Sequence, residues 1–151
     1  LDLIKRSIRI FDEVIIAVAP NPRKQPLFEL DERIMLIKRS IKNLKQVTVE
    51  PLEGLLVDYA SKRRATALIR GLRAVSDYEY ELQMTLMNRR LDHDIETVFM
   101  MPSEEYSFIS STIVKEVASF GGSITSLVPP HVVAALKQKF GVTSGSQKRK
   151  K

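Results

Sequence analysis

The sequence predicts an α/β domain built on a doubly wound parallel sheet, for three reasons. Short apolar runs rich in β-branched residues alternate along the chain with longer segments of helical period. The clearest run, Val14–Ala19 (VIIAVA), is apolar at every position, which is typical of a strand buried on both faces. Strands that alternate with helices form parallel sheets covered by helices on both sides. We expect a single domain over residues 1–140, followed by a flexible basic tail over residues 141–151.

Three further strands are expected after the first, at Val47–Val49, Ala67–Ile69 and Thr97–Met101. Apolar residues spaced by three and four predict the helices, which cover Leu1–Phe11, Leu30–Leu44, Leu55–Arg63, Asp77–Leu91, Ser110–Phe120 and Pro129–Phe140. Four methionines are expected in the core, namely Met84, Met87, Met100 and Met101. The chain opens with a helix, whereas a doubly wound domain commonly opens with a strand that carries a phosphate-binding turn.

The composition excludes several classes of function. The chain contains no cysteine, so disulfides, thiolate metal sites and cysteine nucleophiles are ruled out, and the composition suits a reducing cytoplasm. No apolar run approaches the roughly 18 residues of a membrane span. Lys5, Arg6 and Arg9 interrupt the first apolar segment, which is unlike a signal peptide. We therefore expect no membrane partner.

The net charge of +6 at first favours a nucleic-acid binder. Four of the 24 basic residues lie at the end of the chain, in Lys148–Lys151, which leaves 20 basic against 18 acidic residues elsewhere. Such a nearly neutral domain lacks the basic footprint of nucleic-acid binding, so we expect no nucleic-acid partner. Binding through the tail is the lowest-ranked hypothesis, and it requires an affinity that falls steeply with salt.

Polar residues follow every predicted strand, and parallel strands bring these positions to one edge of a sheet. The segment Arg70–Arg73 (RGLR), after the third strand, is the most informative. Arginine can bind phosphate bidentately, and the glycine allows the backbone to approach a ligand closely. In the alternative, both arginines lie at a solvated helix start and pair with Asp77 or Glu79.

Three other features have a functional and an ordinary interpretation. Ser110, Ser111 and Thr112 begin a predicted helix, where backbone amides favour an anion but where plain N-capping also explains the residue types. Lys24 lies in a loop fixed by prolines and is either a ligand contact or simply solvated. Glu81 either accepts ribose hydroxyls or pairs with a nearby basic side chain. No metal-ligand spacing occurs, so no protein metal site is expected.

The strongest sequence signals are four long segments: PNPRKQPLF, LIRGLRAVSDYEYELQM, MNRRL and MPSEEYSFISSTIVKEVA. Together they resemble bacterial phosphopantetheine adenylyltransferases, in order from Leu1 to about Phe140. The resemblance implies a Rossmann-like nucleotidyltransferase fold and transfer of the adenylyl group of ATP to 4′-phosphopantetheine, which gives dephospho-coenzyme A and pyrophosphate. It also implies Mg²⁺ with ATP, a homohexamer, feedback inhibition by coenzyme A and a cytoplasmic enzyme of coenzyme A biosynthesis.

The resemblance assigns substrate-binding residues by position. Lys24 and Arg70 match positions that bind 4′-phosphopantetheine, and Leu56 matches a backbone contact to the same substrate. Met84 and Asn88 fall where the pantetheine arm lies.

The resemblance likewise assigns the ATP site and the catalytic groups. The residues that match ATP-binding positions are Gly71, Leu72, Arg73, Glu81, Tyr106, Ser107, Phe108, Ile109, Ser110, Ser111 and Thr112. Lys24 and Arg73 are the expected catalytic residues. The attacking group in this family is a phosphate of the substrate, so catalysis needs alignment and charge stabilisation rather than a protein nucleophile.

One part of the family pattern has no counterpart in the printed sequence. The family opens with a strand, a Gly-Ser/Thr-Phe-Asp-Pro loop and a Thr-x-Gly-His motif, whose histidine stabilises the transition state; Leu1 would follow that histidine directly. Neither His93 nor His131 matches its position. We expect the neighbours of this central strand to have unpaired edges. The alternative function is a non-catalytic fragment that binds a nucleotide or coenzyme A.

Overall fold

The fold comes from a computed structural model that describes residues 1–20, 25–73 and 75–142, with the side chains of residues 75–77 outside the description. The strands of this part are β1 (Val14–Val18), β2 (Val47–Pro51), β3 (Ala67–Gly71) and β4 (Glu96–Met100). The helices are α1 (Asp2–Ser7), α2 (Leu30–Ser40), α3 (Leu56–Lys62), α4 (Val75–Leu91), α5 (Ser111–Ser119) and α6 (Pro130–Phe140). A 3₁₀ turn, Glu104–Tyr106, follows β4. The predicted α/β class is confirmed.

The chain divides into two compact units, which we describe separately. The first unit, Leu1–Phe108, holds β1–β4, α1–α4 and the 3₁₀ turn. The second unit, Ile109–Lys151, holds α5 and α6 in its described part. The expected domain boundary after residue 140 stays a prediction, because residues 143–151 lie outside the described residues. Within the described ranges, every helix is too short or too polar to cross a bilayer.

The strand pairing that the structure describes in the first unit is parallel, as predicted. In the described residues β1 pairs with β2, from Val14 opposite Val47 to Val18 opposite Pro51. β3 pairs in the same way with β4. The four strands therefore form two separate pairs instead of one continuous sheet. Each strand has one ladder partner in this part of the chain.

A cleft of about 620 Å³ lies between the two strand pairs. Its walls come from β1 and β3, and residues of α1 and α3 also line it. Each strand pair has its own small core. Val14, Val18 and Val49 belong to the core of the first pair, which α1 and α2 help to cover, and Leu68 and Ile95 belong to that of the second. The cleft thus lies between two separate clusters of buried apolar residues, one for each strand pair.

The third strand is longer than its sequence pattern predicts. We expected it to end at Ile69, with Arg70 and Gly71 in the following loop, but both residues are in β3. The reason is the ladder, which places Arg70 opposite Phe99 and Gly71 opposite Met100. Pairing across the sheet outweighs the low strand preference of glycine.

The prediction that four methionines are core residues is correct for only one of them. Met100 is 7% exposed, but Met84 is 37%, Met87 is 53% and Met101 is 59% exposed. The apolar residues of α4 occur on more than one side of the helix, so they exceed what one neighbouring surface can cover. Helical spacing alone therefore predicted more buried methionines than the structure contains in its described part.

A polar contact fixes α3 against the end of β2. Tyr59 Oη donates to Glu50 Oε2 at 2.7 Å, and Arg63 donates to the other oxygen of the same carboxylate. Burial of the ring, followed by the Glu50 contact, raises the pKa of Tyr59 to about 12. Because Leu56 is the first residue of this helix, the contact also fixes the place of one candidate site residue.

We expect Tyr59→Phe to lower the free energy of unfolding by about 1 kcal/mol, because Glu50 loses one of its donors. Tyrosinate absorbance should show a component near pH 12 that the variant lacks. The raised pKa means that the contribution of Tyr59 to stability is complete below pH 10 and is lost as the pH rises towards 12. Tyr78→Phe is the control, since Tyr78 is 48% exposed; loss of the same component there would contradict the assignment.

Candidate functional site

The candidate site is built on the carboxyl end of β3. Arg70 and Gly71 close the strand, and the amide of Leu72 donates to the carbonyl of Met100 at 3.1 Å, so pairing with β4 continues one residue beyond the strand. Arg70 and Gly71 also line the cleft beside β1. The predicted nucleotide-binding turn is therefore held by β4 and starts at the cleft.

A bidentate salt bridge joins Arg70 of β3 to Glu81 of α4. Arg70 Nε donates to Glu81 Oε2 at 2.8 Å, and Arg70 Nη2 donates to Oε1 at 2.7 Å. The side chain of Glu81 is 13% exposed and that of Arg70 is 41% exposed. The hydrogen bonds that Arg70 donates to Glu81 are the main reason that the pKa of Arg70 is raised. Of the two roles considered for Glu81, pairing with a basic side chain is confirmed.

This salt bridge leaves binding capacity on both partners. The guanidinium has five N–H groups, and the bond to Glu81 uses one on Nε and one on Nη2. A carboxylate offers about four lone-pair sites, of which Arg70 occupies two. An anion at Arg70 and a hydroxyl donor at Glu81 are therefore compatible with the pair.

Gly71 lies against the flexible end of the Leu3 side chain of α1. A Cβ atom on Gly71 would lie 2.6 Å from Leu3 Cδ1, which is too close for two carbon atoms. Close approach of this backbone to a ligand stays a prediction, as does contact of Gly71 with a nucleotide.

The site residues of α4 lie on one stripe of the helix. Glu81, Met84 and Asn88 are spaced by three and four residues, which brings their side chains to the same side. Glu81 and Asn88 are half-buried, whereas Met84 is 37% exposed. Since Glu81 binds Arg70, this stripe adjoins the end of β3.

Leu56, Arg70 and Gly71 line one cavity, the cleft between the strand pairs. Leu56 reaches it as the first residue of α3. Leu72 is half-buried and Arg73 is exposed, and neither lines the cleft. The structure thus brings three candidate residues into one cavity and leaves Arg73 at the surface.

The predicted ATP-binding run is divided between the two units. In the first unit Tyr106 ends the 3₁₀ turn, Ser107 Oγ donates to the carbonyl of Glu104 at 2.8 Å, and Phe108 is 65% exposed. These three residues follow the end of β4, as the sequence predicts.

In the second unit the run forms the start of α5. Ser110 Oγ accepts from the amide of Ile113 at 3.2 Å, so its role as an N-cap is confirmed. Ile109 is half-buried before it, and Ser111 and Thr112 are exposed in the first turn. Anion binding at this helix start stays a prediction.

Lys24 lies outside the described residues, so its predicted place after β1 is not tested. Sequence reasoning missed a different cation at that strand end. Arg33 of α2 donates from Nη1 to the carbonyl of Ala19 at 2.8 Å and from Nη2 to that of Pro20 at 3.1 Å. Its buried Nε has no hydrogen-bond partner in the part of the chain that the structure describes. The helical period places Arg33 on α2, but no local signal shows that it reaches these carbonyls.

No group of three His, Asp or Glu side chains in the described ranges is placed to hold a metal ion.

Comparison with known proteins identifies the family. A family model described as cytidylyltransferase-like matches residues 1–117, which is more than half of the chain. The chain belongs to this family. It is also 57% identical, over 141 residues, to the phosphopantetheine adenylyltransferase of Thermodesulfovibrio yellowstonii, and the match covers 93% of this chain and 88% of that protein. The resemblance predicted from the sequence is confirmed, and the cytidylyltransferase-like fold agrees with the parallel α/β architecture.

We expect a double-mutant cycle of Arg70→Ala and Glu81→Ala to give a coupling free energy of about 1 kcal/mol in urea unfolding, since the pair is bidentate and partly buried. The control is a cycle on Arg89 and Glu96, which form a 2.7 Å pair whose side chains are 52% and 64% exposed. Solvent screening should reduce the control coupling to about 0.3 kcal/mol. Equal couplings would contradict the special geometry of Arg70 and Glu81.

Proposed function

We propose that the chain transfers the adenylyl group of ATP to 4′-phosphopantetheine, with dephospho-coenzyme A and pyrophosphate as products, as a step of coenzyme A biosynthesis. The observation that carries this proposal is the 57% identity to a phosphopantetheine adenylyltransferase over 93% of the chain.

The chemistry of this reaction agrees with the residues at the site. An oxygen of the phosphopantetheine phosphate attacks the α-phosphorus of ATP, and a new P–O bond forms while the bond from that phosphorus to the bridging oxygen breaks. Pyrophosphate leaves with the electron pair of the broken bond. The nucleophile belongs to the substrate, so the protein has to align two anions and stabilise their charge.

Arginine is the residue type best suited to that task. In the proposal, Lys24 and Arg70 hold the phosphate of phosphopantetheine, and Arg73 stabilises the phosphates of ATP. Glu81 accepts ribose hydroxyls through the lone pairs that Arg70 does not use. Because Glu81 also accepts two hydrogen bonds from the Arg70 guanidinium, it fixes ATP relative to 4′-phosphopantetheine.

The remaining contacts of the proposal divide between the substrates. Leu56 offers its backbone to phosphopantetheine, while Met84 and Asn88 lie along the pantetheine arm. ATP contacts the turn at Gly71 and Leu72 and the run from Tyr106 to Thr112.

Mg²⁺ is part of the proposal as a companion of ATP. The described residues do not offer a set of carboxylates that fits a protein-held ion. Mg²⁺ is commonly held by substrate phosphates and water, so we assign it to ATP and derive no step of the reaction from it.

We further propose a cytoplasmic homohexamer that coenzyme A inhibits. Self-association is supported by an exposed apolar stripe on α4, formed by Tyr80, Met84, Met87 and Leu91 at helical spacing. Tyr80 is 60% and Leu91 is 54% exposed in the isolated chain. Sedimentation equilibrium of the full chain distinguishes a hexamer from smaller assemblies.

The proposed function is tested by release of pyrophosphate from ATP and 4′-phosphopantetheine, after the intact mass of the sample has been measured. We expect release that depends on both substrates from a chain that carries the Thr-x-Gly-His motif before Leu1. We expect a chain that begins at Leu1 to bind both substrates with far slower turnover, because the family places its transition-state histidine in that motif.

The outcomes separate the hypotheses. Full activity of the chain that begins at Leu1 would contradict the proposed need for the histidine. Binding without turnover in both chains would favour the non-catalytic alternative. Failure of both chains to bind either substrate would overturn the proposed function.

We expect Arg70→Ala to raise the Kd of 4′-phosphopantetheine by tenfold or more and that of ATP by only about twofold, because one charge-assisted contact to the first substrate is lost. Calorimetry on each ligand separately measures the difference. Arg89→Ala is the matched control, since it removes an arginine from an exposed ion pair of α4. An equal loss of affinity for both ligands would contradict the role assigned to Arg70.

A further inference from the structure

The carboxylate of Asp2 connects two segments that are 101 positions apart in the sequence. Asp2 Oδ1 accepts from Ser103 Oγ at 2.9 Å, and Oδ2 accepts from the backbone amide of Ser103 at 3.0 Å. Arg6, one turn along α1, donates from Nη1 to Asp2 Oδ2 at 3.3 Å and to the carbonyl of Met101 at 2.5 Å. The start of α1 is thus bonded directly to the segment that follows β4.

The same helix contacts the ends of both strands of the second pair. Ser7, which is 2% exposed, donates from Oγ to the carbonyl of Leu3 at 2.8 Å and lies 3.4 Å from Met100 Sδ of β4. The side chain of Leu3 fills the space beside Gly71 of β3. α1 has only six residues and few hydrogen bonds of its own, so these contacts hold it in place.

The fixed position of Ser103 is passed on to the next residues by backbone bonds. The amide of Tyr106 donates to the carbonyl of Ser103 at 2.9 Å. Ser107 donates from its amide at 3.1 Å and from Oγ at 2.8 Å to the carbonyl of Glu104. Tyr106 and Ser107 are therefore fixed through Ser103 to α1, and α1 is packed against the strand end that leads to Leu72.

We propose that Asp2 is a positioning residue for nucleotide binding: it anchors Ser103 to α1 and so fixes Tyr106 and Ser107 relative to the turn at Leu72. The inference rests on the proposed function, which assigns both segments to ATP. Asp2 itself does not contact the nucleotide and acts through Ser103.

The charge of Asp2 is part of this role. The backbone hydrogen bond from Ser103 is the largest of the causes that hold the pKa of Asp2 below its ordinary value, so the group is a carboxylate at neutral pH. A carboxylate accepts at both oxygens, whereas the amide of asparagine offers one oxygen and turns an N–H group towards a second donor. Asp2→Asn therefore removes the negative charge from both Ser103 bonds, and the bond to Ser103 Oγ survives only if the hydroxyl turns to accept from the amide, without a change in side-chain size.

The test compares Asp2→Asn with Asp94→Asn in the full chain. Asp94 is exposed, so the second variant makes the same chemical change without this anchor. We expect Asp2→Asn to raise the Kd of ATP by about tenfold, to leave that of 4′-phosphopantetheine within about twofold and to accelerate amide hydrogen exchange in residues 101–108. Ser103→Ala should likewise raise the Kd of ATP and accelerate exchange in residues 101–108, whereas Ser103→Thr, which keeps the hydroxyl, should leave both at the values of the parent chain.

The ATP affinity and the exchange rates are separate readouts, so failure of this inference is distinct from failure of the proposed function. An Asp2→Asn chain with the ATP affinity and exchange rates of the Asp94→Asn control would overturn the inference. An equal loss of affinity for both ligands would also overturn it, because that result indicates general destabilisation. If the parent chain binds neither ligand, the proposed function and the nucleotide role of Asp2 are both wrong. The exchange rates then still decide whether Asp2 anchors residues 101–108.

Discussion

The parallel ladder between β3 and β4 is the interaction on which the candidate site depends. It extends β3 through Arg70 and Gly71, and it places the residues that follow each strand at the same edge. The salt bridge to Glu81 then attaches α4 to this edge, and α1 attaches the segment that begins at Ser103. Both contacts depend on the ladder, because strand pairing sets the positions of the ends of β3 and β4 to which α4 and α1 are bonded.

The two strand pairs are each stabilised by a core of their own. Each has its own buried cluster, and the cleft between them is lined by residues of β1 and β3 together with the charged side chains of Asp12, Glu13, Arg63, Arg64 and Arg70. In folded proteins the edge of a sheet is normally paired with another strand, covered by other parts of the chain or flanked by charged side chains. Backbone amides and carbonyls without a hydrogen-bond partner cost free energy when water is excluded from them. Leu56 and Arg70 both line this cleft.

Much of the fold could be predicted because segments with a buried face carry apolar residues at a regular spacing in the sequence. The run VIIAVA predicted β1 to within one residue, and the serine at position 110 predicted the start of α5. Prediction failed where a distant partner decides the conformation. Arg70 and Gly71 look like loop residues, but β4 draws them into the sheet. Met84 and Met87 have core spacing on a helix that is apolar on several sides, and local spacing does not show which side is covered.

The sequence by itself determined the order of strands and helices, the family and the residue types available for phosphate binding. Periodicity fixes which segments can form each element, and long specific segments carry the family resemblance, so neither needs a three-dimensional structure. Only the tertiary structure decided how the candidates are used: Glu81 binds Arg70, Leu3 fills the space beside Gly71, and Asp2 anchors Ser103. These contacts depend on distances between residues far apart in the chain, and no local pattern records such distances.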